Sequence, residues 1–259
     1  MSPRIHPTAV VDPRAELGED TVVGPHALVG PGVEVGCGSE IQAHAVLERD
    51  TRVGRACLVG YGAVLGSAPQ DVHYRDEPTR VEIGDETRIR EYATVHRATS
   101  ATGVTRIGAR CLVMAYVHVA HDCAIGDDVV LANAVQLAGH VQVGHHAWIG
   151  GQTPIHQFVR IGELAFVGGG SRVPQDVPPY ACVAGIPLRL YGINTVGLRR
   201  AGVPPEVRLA LKHAFRLLFN SSRPTAVALE EVRLQAGGVP EVERLLEFVV
   251  TSARGVLVG

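Results

Sequence analysis

Residues 107–150 read IGARCLVMAYVHVAHDCAIGDDVVLANAVQLAGHVQVGHHAWIG, and their aliphatic residues fall on a six-residue grid: Ile107, Val113, Val119, Ile125, Leu131, Leu137, Val143 and Ile149. A helix repeats every 3.6 residues and a strand every two, so neither explains a period of six. A left-handed parallel β-helix does. Its coil is a triangular prism with three short strands per turn, and one aliphatic side chain in every six residues points to the axis. A single coil cannot bury its own face, so stacking of coils supplies the core.

Outward from this stretch the grid continues in both directions. It runs back through Val95, Ile89 and Ile83, resumes from Leu65 to Ile5, and runs forward through Ile155, Ile161 and Val167 to Val173. Of the 29 grid positions between residues 5 and 173, 26 are Val, Ile or Leu. The misses are Asp71, Glu77 and Ala101. They fall in 66–82 (GSAPQDVHYRDEPTRVE) and 96–106 (HRATSATGVTR), which predict two loops ejected from the prism. Gly often follows the aliphatic residue, as at Gly108, Gly126, Gly144 and Gly150, and the residue three places further on is small, as at Cys111, Cys123 and Ala147. That pattern predicts a tight corner every six residues, since Gly lets chains turn and approach closely.

The β-helix is expected over 1–190, closed by the Pro-rich QDVPPYACVAG at 175–185. A small helical C-terminal domain is expected over 191–259. In it PPEVRLALKHAFRLLF (204–219) places Val207, Leu211, Phe215 and Leu218 on one stripe behind two prolines. RPTAVALEEVRLQAG (223–237) and VPEVERLLEFVVTSA (239–253) read as two further helices.

Twenty-four basic against 26 acidic residues give a net charge of −2, which argues against a nucleic-acid surface built on phosphate contacts. No run of apolar residues is long enough for a membrane span. The opening MSPRIHPTAV lacks the basic and apolar regions of a signal peptide. None of the five cysteines forms a CxxC pair, and Cys57, Cys111 and Cys123 take the small corner slot. They read as buried thiols in a reducing cytoplasm.

The register also places the chemistry. One turn is 18 residues, so His121, Gly139 and Gln157 share one position on successive rungs; Asp122 and His140 share the next, His156 precedes Gln157, and His118 lies three residues before His121. Rungs are expected about 4.8 Å apart. His is half-ionised near neutral pH and a neighbouring carboxylate can orient its ring, so this column suits a general base. Three histidines on neighbouring rungs could also bind zinc, as in the γ-class carbonic anhydrases, which share this fold. A closed site needs four ordered ligands, and no metal or other cofactor is expected here. His145, His146 and His213 read as solvated surface.

The blocks VHVAHDCAIGDDVVLANAVQLAGHVQVG (117–144), IGGQTPIHQFVRIG (149–162), QDVPPYACVAG and YGINTVGLRRAG (191–202), with the QD-x-x-Y loop at Gln70–Tyr74 and EPTRVEIGD (77–85), occur in an order and spacing that resemble the acyl-[acyl-carrier-protein]–UDP-N-acetylglucosamine O-acyltransferases. The resemblance covers essentially the whole chain. It implies a cytoplasmic homotrimer with active sites between subunits. Its reaction would carry a 3-hydroxyacyl or related chain from acyl carrier protein to the 3-position of the sugar of UDP-N-acetylglucosamine, the first step of lipid A biosynthesis. It makes His121 the general base, Asp122 its support, and the Gly139 N–H the donor to the oxyanion. His118, His140, His156 and Gln157 would line the cleft for nucleotide sugar and acyl pantetheine. Asp71 and His73 in the first loop, with Asn194 and Arg200 in the tail, would hold sugar and nucleotide. Gly169 would lie where the acyl groove ends. Arg199 and Arg200 are candidates to meet an acidic carrier protein or a phosphate, or form a solvated helix face.

The sequence departs from the family at three of these places. His73 stands where the family has Lys, Val196 where it has Glu, and Ala201 where it has Arg. A His grips a diphosphate less firmly than a Lys. N-acyl transfer to a 3-amino UDP-sugar therefore stands beside O-acyl transfer, and a non-catalytic trimeric binding protein is the alternative from another class. The related N-acyltransferase that acts later in the pathway carries an N-terminal uridine-binding domain, whereas hexapeptides here begin at Ile5.

Overall fold

The computed structural model describes residues 1–219 and 224–257; Arg223, the first residue of the second expected helix, lies outside them. The chain forms a left-handed parallel β-helix whose strands make three sheets. Sheet A has eleven strands, sheets B and C eight each. Most strands are two residues long, the second being the grid aliphatic. Val119, Leu137 and Ile155 stack in register on sheet B, and Ile125, Val143 and Ile161 on sheet C. These side chains are almost wholly removed from water and form one axial core with Cys57, Cys111 and Cys123 in the corner slots. Burial pushes the Cys111 thiol up to about 11, so it stays protonated and inert. All five cysteines are free; Cys37 is exposed and Cys182 partly so.

The two loops are shorter than expected. Strands Val64–Ser67 and Arg80–Ile83 bound the first, and Thr94–His96 and Val104–Ile107 bound the second. Leu65 pairs with Val95, 30 residues on, and Val95 with Val119, 24 residues on. The loops therefore add twelve and six residues to the 18 of a turn, which is why the grid resumes in phase after each. Both leave the prism at the corner between sheets B and C.

The corner glycines serve close approach. A Cβ on Gly150 would stand 2.3 Å from the Gly169 nitrogen on the next rung. The left-handed conformation falls two residues later and is taken mostly by other residues, among them Asp122 (φ 62°), His140 (φ 63°) and Phe158 (φ 64°). Turn and loop hydrogen bonds over-determine these corners: the His140 N–H donates to the His121 carbonyl and the Phe158 N–H to that of Gly139.

The prism does not end on a plain coil. Ala181–Ala184 adds to sheet A in parallel and then pairs antiparallel with Arg189–Ile193. Among the described residues four helices follow: α1 (Thr195–Arg200), α2 (Pro205–Phe219), α3 (Thr225–Ala236) and α4 (Pro240–Val250). α1 is additional to the three read from the sequence. Leu211 and Phe215 of α2 and Leu245 and Leu246 of α4 are buried in the helical cluster. Arg244 ties α4 to the prism through Glu163 at 2.6 Å and the hydroxyl of the buried Tyr180 at 3.2 Å. No helix among the described residues is long and apolar enough to cross a membrane.

Candidate active site

The histidine column lies along the B–C corner. The left-handed backbone at Asp122 turns its side chain to the same side as that of His121, so adjacent residues can meet. His121 Nδ1 stands 2.7 Å from Asp122 Oδ2. The Asp122 side chain is completely buried, while His121 keeps 16% exposure. Burial by itself would raise the Asp122 carboxyl. Hydrogen bonds from Thr102, His121 and Thr99 outweigh it and hold the group below the usual carboxylate value. An ionised carboxylate only accepts, so Nδ1 of His121 carries the proton and Nε2 holds a lone pair for a substrate proton.

Gly139 lies directly on the His121 ring. A Cβ there would stand 2.6 Å from His121 Cε1 and 2.8 Å from Nε2. Its N–H donates to no protein group among the described residues. The residue packed against the His121 ring thus has an uncommitted backbone donor, the kind of group that can meet a developing oxyanion.

His140 meets His121 edge-on at 5.2 Å and stacks on Phe158 at 4.4 Å. Its Nε2 is 3.7 Å from Asp122 Oδ2, beyond hydrogen-bonding reach. His121, Asp122 and His140 are close enough together to share a cation. The Asp122 oxygens, however, already accept from Thr99, Thr102 and His121. A cation there would have to displace them.

His118 projects from sheet B, its Nδ1 2.8 Å from Thr94 Oγ1. Burial, with His96 and His121 nearby, pushes it down to about 4, so it is neutral at pH 7. His96, also lowered by burial, packs edge-on against it at 5.1 Å and donates from Nδ1 to the Ala68 carbonyl at the root of the first loop. Buried Arg97 bonds the Gly66 carbonyl and reaches the Tyr74 hydroxyl at 3.4 Å, fixing the loop that carries Asp71 and His73. Asp71 Oδ1 accepts from the His73 N–H at 2.9 Å, and His73 is exposed. His156 and Gln157 are exposed on the rung above His140, with His156 Nδ1 3.1 Å from the Gln157 carbonyl.

The tail residues are elsewhere. Asn194 and Arg200 line a cleft of about 750 Å³ against sheet A, with Val196, Val130, Trp148 and Phe166. Asn194 caps α1: its Oδ1 accepts from the Gly197 N–H and its Nδ2 donates to the Leu164 carbonyl, both at 2.9 Å. Both ends of the amide are thus committed to placing the helix that presents Arg200. Gly169 stacks on Gly151 at the A–B corner, its Cβ position 3.2 Å from the Gly151 carbonyl. One chain therefore gathers His118, His121, Asp122, Gly139, His140, His156 and Gln157 with both loops at one edge, and holds Asn194 and Arg200 on another face.

Sequence reading missed Thr99, Thr102 and Phe158. The Ser/Thr density of the second loop was the available signal for the threonines. Phe158 shared its slot with Asp122 and His140.

Over residues 176–257 the chain matches the family described as "Udp N-acetylglucosamine O-acyltransferase; Domain 2", and over 105–139 the bacterial transferase hexapeptide repeat. It is 49% identical over 255 residues to the acyl-[acyl-carrier-protein]–UDP-N-acetylglucosamine O-acyltransferase of Alkalilimnicola ehrlichii, covering 98% of this chain and 99% of that one. The chain belongs to this O-acyltransferase family. The Syntrophobacter fumaroxidans member is 46% identical over 256 residues, with the same coverage. Among solved structures, LpxA from Acinetobacter baumannii superposes with a TM-score of 0.95 at 36% identity, covering 98% of this chain and 99% of its own. LpxA from Bacteroides fragilis gives 0.96 at 34%, covering 97% and 99%. O-acyltransferase membership leaves the roles of individual residues to be argued from the geometry above.

Proposed function

We propose that this O-acyltransferase moves a (3-hydroxy)acyl chain from acyl carrier protein to the 3-hydroxyl of the sugar of UDP-N-acetylglucosamine, in the cytoplasm, as the first step of lipid A biosynthesis. The observation that carries the reading is the His121–Asp122 pair beside the unbonded Gly139 N–H, in a chain of this family. His121 Nε2 takes the proton of the sugar hydroxyl as its oxygen attacks the thioester carbonyl. The tetrahedral oxyanion meets the Gly139 N–H. When the intermediate collapses, the carbon–sulfur bond breaks and the imidazolium returns the proton to the pantetheine thiolate. Asp122 stays charged throughout and supports the imidazolium. A thioester is already activated, so the step needs no covalent enzyme intermediate. Positioning and a base supply the acceleration.

The split between the B–C corner and the sheet A cleft supports a homotrimer in which the corner of one copy works against the cleft of the next. Several outward positions of sheet C are charged and paired, as in Arg52–Glu34 at 3.0 Å and Arg106–Glu82 at 2.6 Å. Sheet A instead presents Val130, Trp148 and Phe166, and Trp148 is 42% exposed. Copies that meet through sheets A and B would cover these apolar side chains and leave the ion pairs of sheet C to water. Mixing and reassembling two inactive variants, His121→Ala and Arg200→Ala, tests this. Activity should return in the mixture, because some clefts then contain neither substitution. Mixtures as inactive as their components would contradict a shared site.

Gly169 lies between two and three rungs above His121, so a chain lying along sheet B from the base would end near it. Gly169→Met should lower kcat/KM for the longest acyl chain accepted at least about tenfold and move the preference to shorter chains, since each buried methylene contributes about 0.8 kcal/mol. A ladder of acyl carrier protein thioesters reads this directly. An unchanged length profile would remove Gly169 from the groove.

A further inference from the structure

We propose that Thr99 and Thr102 are positioning residues that set the basicity of His121 through Asp122, which makes the second ejected loop part of the catalytic apparatus. This rests on the reading of His121 as the base. The loop leaves the prism after His96 and returns at Val104, and between those points it wraps the Asp122 carboxylate. Thr99 donates from its N–H to both oxygens at 3.2 Å, and from Oγ1 to Oδ2 at 2.8 Å. Thr102 donates from its N–H to Oδ1 at 3.2 Å and also from its hydroxyl to Oδ1. From the prism side, Thr105 Oγ1 accepts from the Asp122 N–H at 2.8 Å. His121 Nδ1 is the remaining donor to the carboxylate.

Four of the five donors thus come from two threonines, and none of them is needed to close a coil. Thr102 is exposed; its hydroxyl also lies 3.1 Å from the Val104 carbonyl, and its one proton goes to the closer, charged Asp122 Oδ1. A carboxylate this deeply buried would otherwise take up a proton, and His121 would lose the charge that fixes its tautomer and stabilises its imidazolium. The four donors prevent protonation of Asp122. They also spread its charge, so that it does not bind the imidazolium proton too tightly to return it.

The sign of the effect follows. When the two hydroxyls are removed, the carboxylate is more basic. The His121 imidazolium beside it then gives up its proton only at higher pH, and Asp122 itself protonates at higher pH. Both changes move the acidic limb of kcat/KM upward. The other titratable groups facing His121 are His140 from the rung above, and His118 and His96 from sheet B. Burial lowers the last two, His118 to about 4, and the His140→Gln background below tests the first.

The test is the pH profile of kcat/KM for acyl transfer by Thr99→Val/Thr102→Val, by Thr102→Val alone, and by Thr99→Ser/Thr102→Ser. The double valine variant should shift the acidic limb up by roughly one unit, and so lose about tenfold below it. Thr102→Val, at an exposed position that tolerates the change, should shift it partway. The serine pair should keep the parent profile, because it keeps both hydroxyls. The same shift should appear in a His140→Gln background. A limb that stays in place in folded Thr102→Val, or a shift that disappears with His140→Gln, overturns the proposal. Loss of activity in His121→Ala alongside an unmoved limb would defeat this inference alone. Retained activity in His121→Ala would defeat the base assignment on which it rests.

Discussion

Replacing His121 with Ala is expected to lower kcat for acyl transfer by about 10³-fold, within the range a positioned base supplies, while the protein stays folded. The geometry separates His121 from the three other histidines of the column. Only its ring is in hydrogen-bonding contact with Asp122, at 2.7 Å; His140 stands at 3.7 Å. His118 is pushed down to about 4, too weak a base at neutral pH. His156 turns its Nδ1 to a backbone carbonyl. The fold should survive because Asp122 keeps its Thr99 and Thr102 donors when the imidazole is gone. His140→Ala should cost nearer tenfold, since it removes the edge-on neighbour of the base and leaves the base itself. The measurement is kcat for each variant beside its thermal unfolding and sedimentation. If His140→Ala is the more damaging of the two in folded protein, the base has been misassigned.

Gly139→Ala is the second large effect, expected at about 10²-fold or more in kcat. Gly139 is not in the left-handed region, so Ala costs no backbone strain there. The cost comes from contact. The new methyl would occupy space 2.6–2.8 Å from the His121 ring atoms, and either the ring or the Gly139 peptide must move. A shifted ring loses its line to the sugar hydroxyl, and a shifted peptide withdraws the oxyanion donor. Substrate affinity should change much less than kcat, because both losses fall on the transition state. A variant that raised KM and left kcat unchanged would show that Gly139 serves only substrate binding.

The period of six made the prism legible because one physical requirement, an aliphatic side chain on the axis, recurs at every rung. The same period puts His121, Gly139 and Gln157 in one line. What escaped reading has no period. α1 is six residues with a glycine at its centre; it holds because Asn194 caps it and Leu198 is buried beneath it, and both are tertiary facts. The antiparallel return of Arg189–Ile193 depends on where the last coil runs out. The threonine cage around Asp122 joins residues 20 and 23 positions apart across an ejected loop, a distance set by how the loop folds back and by no repeat. The separation of Asn194 and Arg200 from the histidines is equally invisible in one dimension, since the resemblance names the residues of a site without saying which face of the prism carries each.

The departures at His73, Val196 and Ala201 lie on the first loop and in the tail. Val196 lines the sheet A cleft with Arg200, so the cleft is more apolar than a Glu would make it, and His73 stands exposed on the first loop. None of the three alters His121, Asp122 or Gly139, the residues proposed for acyl transfer.

The most direct measurement is transfer from a 3-hydroxyacyl acyl carrier protein to UDP-N-acetylglucosamine, run beside its 3-amino analogue, with the product's linkage determined. The account predicts an ester at the sugar 3-position, formed at a rate that His121→Ala lowers by about 10³-fold. An amide from the amino sugar with no ester from UDP-N-acetylglucosamine, or no transfer to either by folded protein, would contradict it.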